Sequence, residues 1–313
     1  MPRHRDTTRT VGFVVVAAGV AIFSTDALLI RLQGMPVPQI LFWRGVLSAL
    51  GFGAVTCIAS RGHIVRAVLT LGWVGLAIAL LRGAANIAFV LSVEETSVAQ
   101  AFVILATTPL MTALLSKLLV ADHLPRRTWL TALAAAAGVT VIFAGSFGTP
   151  QLAGDLWAIA GGLSISLTLV IVRSSKNLDR FAAMAAGCAL GVIPVLPFLG
   201  AGIGISAPNA LVAFLNGAVV LPVAVALVTL GPKYLPAPEV SLFLLLETVM
   251  APLWVWLVLR QQPEARTVIA GAVVLAALAF HSAAELSDER RRMRATAAGG
   301  SQELAPEAAG PGL

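Results

Sequence analysis

The chain of 313 residues is 58% hydrophobic and 12% charged, with a mean hydropathy of +0.91, whereas soluble domains carry roughly 25% charged residues. That composition excludes a water-soluble globule and predicts a polytopic membrane protein. A net charge of +6 and a pI near 10.3 would otherwise suggest a nucleic-acid partner, but basic residues in a membrane protein collect in cytoplasmic segments, so no nucleic acid is expected.

Residues 1–10, MPRHRDTTRT, form a basic N-terminus. The apolar run 11–30 that follows exceeds a signal-peptide core of about 7 to 15 residues and reads as span 1. Further runs of about the 20 residues needed to cross a bilayer follow at 40–59, 69–91, 98–120 and 128–146. Residues 147–155 read as a periplasmic linker, and spans 6 to 10 follow at 156–172, 181–199, 211–230, 240–259 and 268–284. The charged, then Ala/Gly/Pro-rich, tail 285–313 is expected to be a disordered cytoplasmic segment. Its cluster Arg290, Arg291, Arg292 and Arg294 would sit against anionic membrane lipid.

Basic residues fix the expected orientation. With the N-terminus in the cytoplasm, inner segments receive Arg3, Arg5, Arg9, Arg61, Arg66, Arg126, Arg127, Arg173, Lys176, Arg180, Lys233 and the terminal cluster, and outer segments only Arg31, Arg260 and Arg266. Both termini are therefore expected in the cytoplasm of a multi-pass protein of the cell (inner) membrane. Cys57 and Cys188 fall in apolar runs and suggest no disulfide framework.

The stretch 97–122, SVAQAFVILATTPLMTALLSKLLVAD, returns near the far end of the chain. Aligning Thr108-Pro109 with Glu247-Thr248 (248 − 109 = 139) also places Gln100 on Glu239, Leu105 on Leu244 and Arg127 on Arg266. Aligning Arg31 with Arg173 (173 − 31 = 142) places Gly19 on Gly161 and Ser24 on Ser166. A unit written twice outranks other signals. Five spans per unit reverse the direction of insertion. The predicted fold is an all-α membrane protein of ten transmembrane helices, built as two inverted five-helix repeats over 11–146 and 156–284.

Arg44 in ILFWRGVLSAL, the segment TSVAQAFVILATTPLMTALLSKLLVADHL and LFLLLETVMAPLWVWLVL make the chain resemble the drug/metabolite transporter superfamily, and within it the ten-helix EamA-type group. The likeness spans residues 10 to 284. Here Glu247-Thr248, with Pro252 four residues on, stands where the family often has Glu-Pro, and Asp122 where it often has Glu. The resemblance implies a secondary transporter, commonly an exporter of amino acids, related metabolites or drugs, with a central cavity lined chiefly by spans 1, 3, 4, 6, 8 and 9. It implies no cofactor.

Charged groups inside a bilayer cost about 2.5 to 3.5 kcal/mol each on insertion scales and are functional suspects; here they are Asp26, Arg44, Arg82 and Glu247. At a rise of 1.5 Å per residue, Asp26 and Arg44 both lie about 6 Å inside the outer ends of spans 1 and 2 and can meet, whereas Arg82 and Glu247 are less well matched in depth. One reading makes Asp26 or Glu247 a proton site, since low dielectric disfavours a charged carboxyl, and gives Arg82 a substrate carboxylate. The other makes all four a structural charge set, the reading that suits Arg44 best. Asn86, Thr108, Ser164, Thr168 and Asn216 are candidate ligand hydrogen-bonding groups of the same cavity, or bonds between helices. Pro109, Pro222 and Pro252 are candidate hinges for alternating access. Gly187 and Gly191 read as a close-packing pair, and Trp73, Trp129 and Trp157 as interfacial anchors.

The chain has no GxxxxGK[ST] loop to cradle ATP phosphates. His4, His63, His123 and His281 show no metal-ligand spacing. The expected function is secondary active transport of a small molecule, with protons as a candidate coupling partner, in a protein that is not an enzyme. Two readings compete: an uncoupled uniporter or importer, and a membrane-embedded lipid-modifying enzyme using His123 beside Asp122.

Overall fold

The computed structural model describes residues 3–60, 62, 68, 70–120, 126–174, 178–200, 202–235 and 237–302. Arg61, His63, Arg66, Asp122, His123, Lys176 and the stretch 303–313 lie outside the described residues. Among the described residues there is no strand, and ten helices are long and apolar enough to cross a membrane. They are Thr10–Leu32, Val37–Ala59, Gly72–Glu95, Val98–Leu119, Thr128–Ser146, Gln151–Val172, Arg180–Phe198, Ala207–Leu230, Leu242–Leu259 and Ala265–Ala284. These are spans 1 to 10. The face carrying the start of span 1 is called the near face, and the opposite one the far face.

The two halves pack alike once one is inverted. Span 1 lies on span 8 as span 6 lies on span 3, and span 2 on span 8 as span 7 on span 3, while spans 2 and 7, 4 and 9, and 5 and 10 pair with their own counterparts. Glycines show the correspondence at atomic scale. A methyl added at Gly12 would stand 2.5 Å from Tyr234 Cβ and 3.0 Å from Leu235 Cγ, and one at Gly154 2.5 Å from Thr96 N and 2.7 Å from the Glu95 carbonyl carbon. The two glycines are 142 apart (154 − 12), and their partners 139 apart (234 − 95 and 235 − 96). Likewise Gly19 meets Leu227 and Val228, while Gly161 meets Ala88 and Phe89. The chain is two inverted five-helix repeats in three dimensions as well as in sequence.

Spans 3 and 7 touch backbone to backbone. A Cβ on Gly83 would lie 2.7 Å from the Gly187 carbonyl oxygen, and one on Gly187 2.6 Å from that of Ala79. Neither carbonyl can move without its helix, so Gly187→Ala is expected to lower stability by about 1–3 kcal/mol, the usual range for overpacking. Thermal unfolding in detergent measures it.

Several spans are broken. Span 1 is interrupted between Phe23 and Asp26, where the Ser24 and Thr25 hydroxyls donate to the Ala21 and Ile22 carbonyls. Span 4 breaks at Thr107, between Val98–Ala106 and Thr108–Val120. Pro109 has no N–H for the Leu105 carbonyl, and the Thr108 hydroxyl donates there instead at 2.5 Å. In span 8 the π-helical segment Leu215–Val220 precedes Pro222, and Pro222 and the Ala218 carbonyl crowd against Gly51. Pro252, by contrast, lies inside the continuous helix Ala237–Leu259. Pro109 and Pro222 thus coincide with irregular backbone, and Pro252 does not.

Span 10 belongs to a helix that runs on to Gln302. The segment 285–302, expected to be disordered, is helical. Glu, Arg, Met and Ala in that stretch are good helix formers, and extending an existing helix needs no new nucleus.

The faces close differently. At the near face Val16, Val20, Leu235 and Val240 form an apolar cluster with Phe243 and Leu244 against it, and Phe13 and Phe243 rings meet at 5.6 Å. At the far face the contacts are polar: Thr96 Oγ1 donates to Asp155 Oδ1 at 2.9 Å and Gln100 Nε2 to Ser146 Oγ at 3.0 Å.

Candidate functional site

The break in span 1 starts a new helix at Asp26 and sets its carboxylate against span 2. Arg44 grips it with both terminal nitrogens, Nη1 to Oδ1 at 2.7 Å and Nη2 to Oδ2 at 2.9 Å. Both side chains are 2% exposed, so the pair is dry. The rest of the guanidinium is also used: Nε donates to Asn86 Oδ1 at 2.9 Å and Nη1 to Asn216 Oδ1 at 2.6 Å. Asn216 Nδ2 returns bonds to Asp26 Oδ1 at 2.7 Å and to the Asp26 carbonyl at 3.2 Å. Phe89 covers the guanidinium, 5.6 Å from its ring centre. Spans 1, 2, 3 and 8 are thereby tied at one node with its charges and polar atoms satisfied, as a buried pair requires.

The expected meeting of Asp26 and Arg44 is present. Asn216, which sequence reasoning placed in the cavity, is a wholly buried partner of this node. It reaches there from the π-helical segment of span 8.

Arg82 and Glu247 stand apart from the node. Among the described residues neither has a hydrogen bond or ion pair, and the two do not bridge each other. Both are enclosed by protein yet only partly buried. Arg82 packs its Cβ on Gly187 and lies close to Cys188, while Glu247 lies within electrostatic reach of Asp26. Unpaired charges within membrane spans are costly and mark pathways.

Repeat symmetry sorts the remaining candidates. Thr168 occupies the position in span 6 that Asp26 holds in span 1 (168 − 26 = 142), and Thr108 in span 4 that of Glu247 in span 9 (247 − 108 = 139). At each of these two positions one half has a carboxylate where the other has a hydroxyl, the acid being Asp26 in the first half and Glu247 in the second. Those hydroxyls cap backbone: Thr108 bonds the Leu105 carbonyl, Ser164 that of Ala160 and Thr168 that of Ser164. Ser166 Oγ reaches across to the Thr108 carbonyl at 3.1 Å, and Trp254 Nε1 donates to Ser24 Oγ at 3.0 Å. Thr108 and Ser164 keep accessible surface, whereas Thr168 is buried. Asn86 engages Arg44 through its oxygen, and among the described residues its amide NH2 makes no hydrogen bond. Among the described residues no cluster of three or more metal-binding side chains occurs.

Sequence reasoning missed Asp155. It lies in the first turns of Gln151–Ser174 with no exposed surface, bonded to Thr96. The signal available was a carboxylate flanked by Leu152, Ala153, Leu156 and Trp157.

A sequence model of the EamA-like transporter family matches residues 10–144 and again 152–283. No curated protein matches. A solved structure, titled only as the crystal structure of a protein, superposes with a TM-score of 0.61 over 87% of this chain and 97% of its own, at 19% identity, and so supports the fold alone.

Proposed function

The chain belongs to the EamA-like transporter family, and on that premise we propose that it is a secondary active transporter exporting a small zwitterionic or amphipathic metabolite, of the amino-acid kind, by alternating access. It is a multi-pass membrane protein of a transporter family; the near face is the cytoplasmic one on this reading, as the basic residues of the sequence favour. The observation that carries the proposal is the pair of opposite, unpartnered charges, Arg82 and Glu247, held inside the spans without neutralising each other.

In this reading Arg82 receives the substrate carboxylate through its planar donor fork, and Glu247 receives the amine or, when the amine leaves, a proton. Asn86, Thr108 and Ser164 border the ligand. Asp26, Arg44 and Asn216 act as the rigid node behind it, because their polar atoms are already engaged. The breaks in spans 1 and 4 and the π segment of span 8 supply the places where helices bend between states.

A thermal-shift screen of the purified full-length protein against amino acids, nucleosides and amphipathic drugs tests this. A ligand that binds only the folded state adds about 2.7 kcal/mol at one hundred times its Kd, so zwitterionic amino acids are expected to raise Tm. No stabilising class, together with no flux in liposomes with or without a pH gradient, would overturn it.

A further inference from the structure

Asp155 is a buried carboxylate that the fold does not need. Its repeat counterpart is Phe13 (155 − 13 = 142), and the residue it bonds, Thr96, has Leu235 as counterpart (235 − 96 = 139). The glycine before each, Gly154 and Gly12, presses on the matching partner in the same way. The equivalent positions flanking this shared glycine contact are therefore apolar in one half, Phe13 and Leu235, and a carboxylate and a hydroxyl in the other. Packing demands no acid at this point, and a buried charge is costly there.

Nor is the carboxylate fully satisfied. Oδ1 accepts from Thr96, but Oδ2 has no hydrogen-bond partner, and neither has Oε1 of Gln151, four residues earlier and thus on the same helix face. Neither of these two acceptor oxygens meets a donor in hydrogen-bonding geometry. Charged and titratable groups surround them without a salt bridge to Asp155: Arg31 of span 1, whose Nη2 donates to the Thr96 carbonyl at 2.8 Å, Glu94 and Glu95 of span 3, and Arg266 of span 10, paired with Glu264, lying over Gly145 and within electrostatic reach of Asp155. Span 4 brings Ser97 and Gln100 and span 5 brings Ser146, all uncharged; the Ser146 hydroxyl, bonded to the Ile142 carbonyl, lies within reach of the Asp155 carboxylate.

We propose that Asp155 is a proton-binding site that gates the far face. A proton taken from the far-face solvent adds to Oδ2, which changes from an acceptor to an O–H donor toward Gln151 Oε1. The charge that Arg31 and Arg266 sense disappears, and the bond from Thr96 loses its charge assistance, which roughly doubles such bonds. Spans 3 and 4 then separate from span 6 more easily. Protonation opens the far face, and release of the proton closes it. The gate deepens the transport reading and rests on it for its purpose, but not for its measurement.

The experiment uses the full chain in nanodiscs with no substrate, titrating pH while recording infrared carboxyl bands and amide hydrogen exchange of residues 100–106 and 154–160, corrected for intrinsic rates. Acidification is expected to bring in a protonated-carboxyl band absent from Asp155→Asn, and to speed exchange about tenfold. Asp155→Asn should exchange fast at every pH. Thr96→Val, which keeps the acid but removes its donor, should displace the midpoint, and it serves if the first variant does not fold. A band that persists in Asp155→Asn, a wild type whose exchange ignores pH, or an unmoved midpoint in Thr96→Val overturns the proposal. If the gate titrates and no substrate is ever found, only the transport reading falls. If flux is found and keeps its pH dependence in Asp155→Asn, only the gate falls.

Discussion

Arg44→Leu is expected to lower stability by about 3–5 kcal/mol, the cost of stranding the partner of a buried ion pair. The guanidinium makes two bonds to Asp26 and one each to Asn86 and Asn216, so its loss leaves a dry carboxylate with no counter-charge and only the Asn216 amide donating to it. Folded proteins hold only about 5–15 kcal/mol in reserve, and the variant should be largely lost as monodisperse material in size-exclusion chromatography. Asp26→Leu should be comparably harmful, because it strands the cation instead. The double variant Arg44→Leu/Asp26→Leu should cost clearly less than the sum, since buried pairs replaced on both sides by apolar groups are often neutral. An Arg44→Leu protein as stable as wild type would show that the node does not hold spans 1, 2, 3 and 8 together.

The opposite result is expected for the unpaired charges. Arg82→Gln and Glu247→Gln remove no hydrogen bond or ion pair from the folded protein and should unfold near the wild-type temperature, while transport suffers. A charge-assisted bond contributes about 1.5–3 kcal/mol, so Arg82→Gln should weaken substrate binding about 10- to 100-fold, read as a raised KM in proteoliposomes. Glu247→Gln should retain binding of neutral analogues and lose the response to an imposed pH gradient. Flux that ignores the gradient in wild type and survives Glu247→Gln would identify an uncoupled uniporter.

Much of this architecture was legible in the chain. Apolar run length set the ten spans, and internal similarity set the inverted halves, down to the Gly19 and Gly161 match that now has the same neighbours on both sides. Depth along a helix sufficed to bring Asp26 to Arg44. It did not suffice for Asn216, because the π segment shifts residue register in a way that composition does not reveal. The break at Ser24 and Thr25 was hidden for a similar reason: neither residue is glycine or proline, and only their hydroxyl bonds to preceding carbonyls mark it. Asp155 escaped because hydropathy starts span 6 at residue 156, just past it, whereas the helix begins at Gln151. A boundary error of five residues turned a buried acid into a supposed linker residue.

The unlike seals of the two faces carry a thermal consequence. The cluster of Val16, Val20, Leu235 and Val240 with Phe243 against it draws on the hydrophobic effect, which fades on cooling, whereas the Thr96 to Asp155 bond has no such dependence. Chilled protein is therefore expected to favour the state open at the near face, and warming to restore its closure, so that the ratio of the two states becomes a function of temperature before any ligand is added.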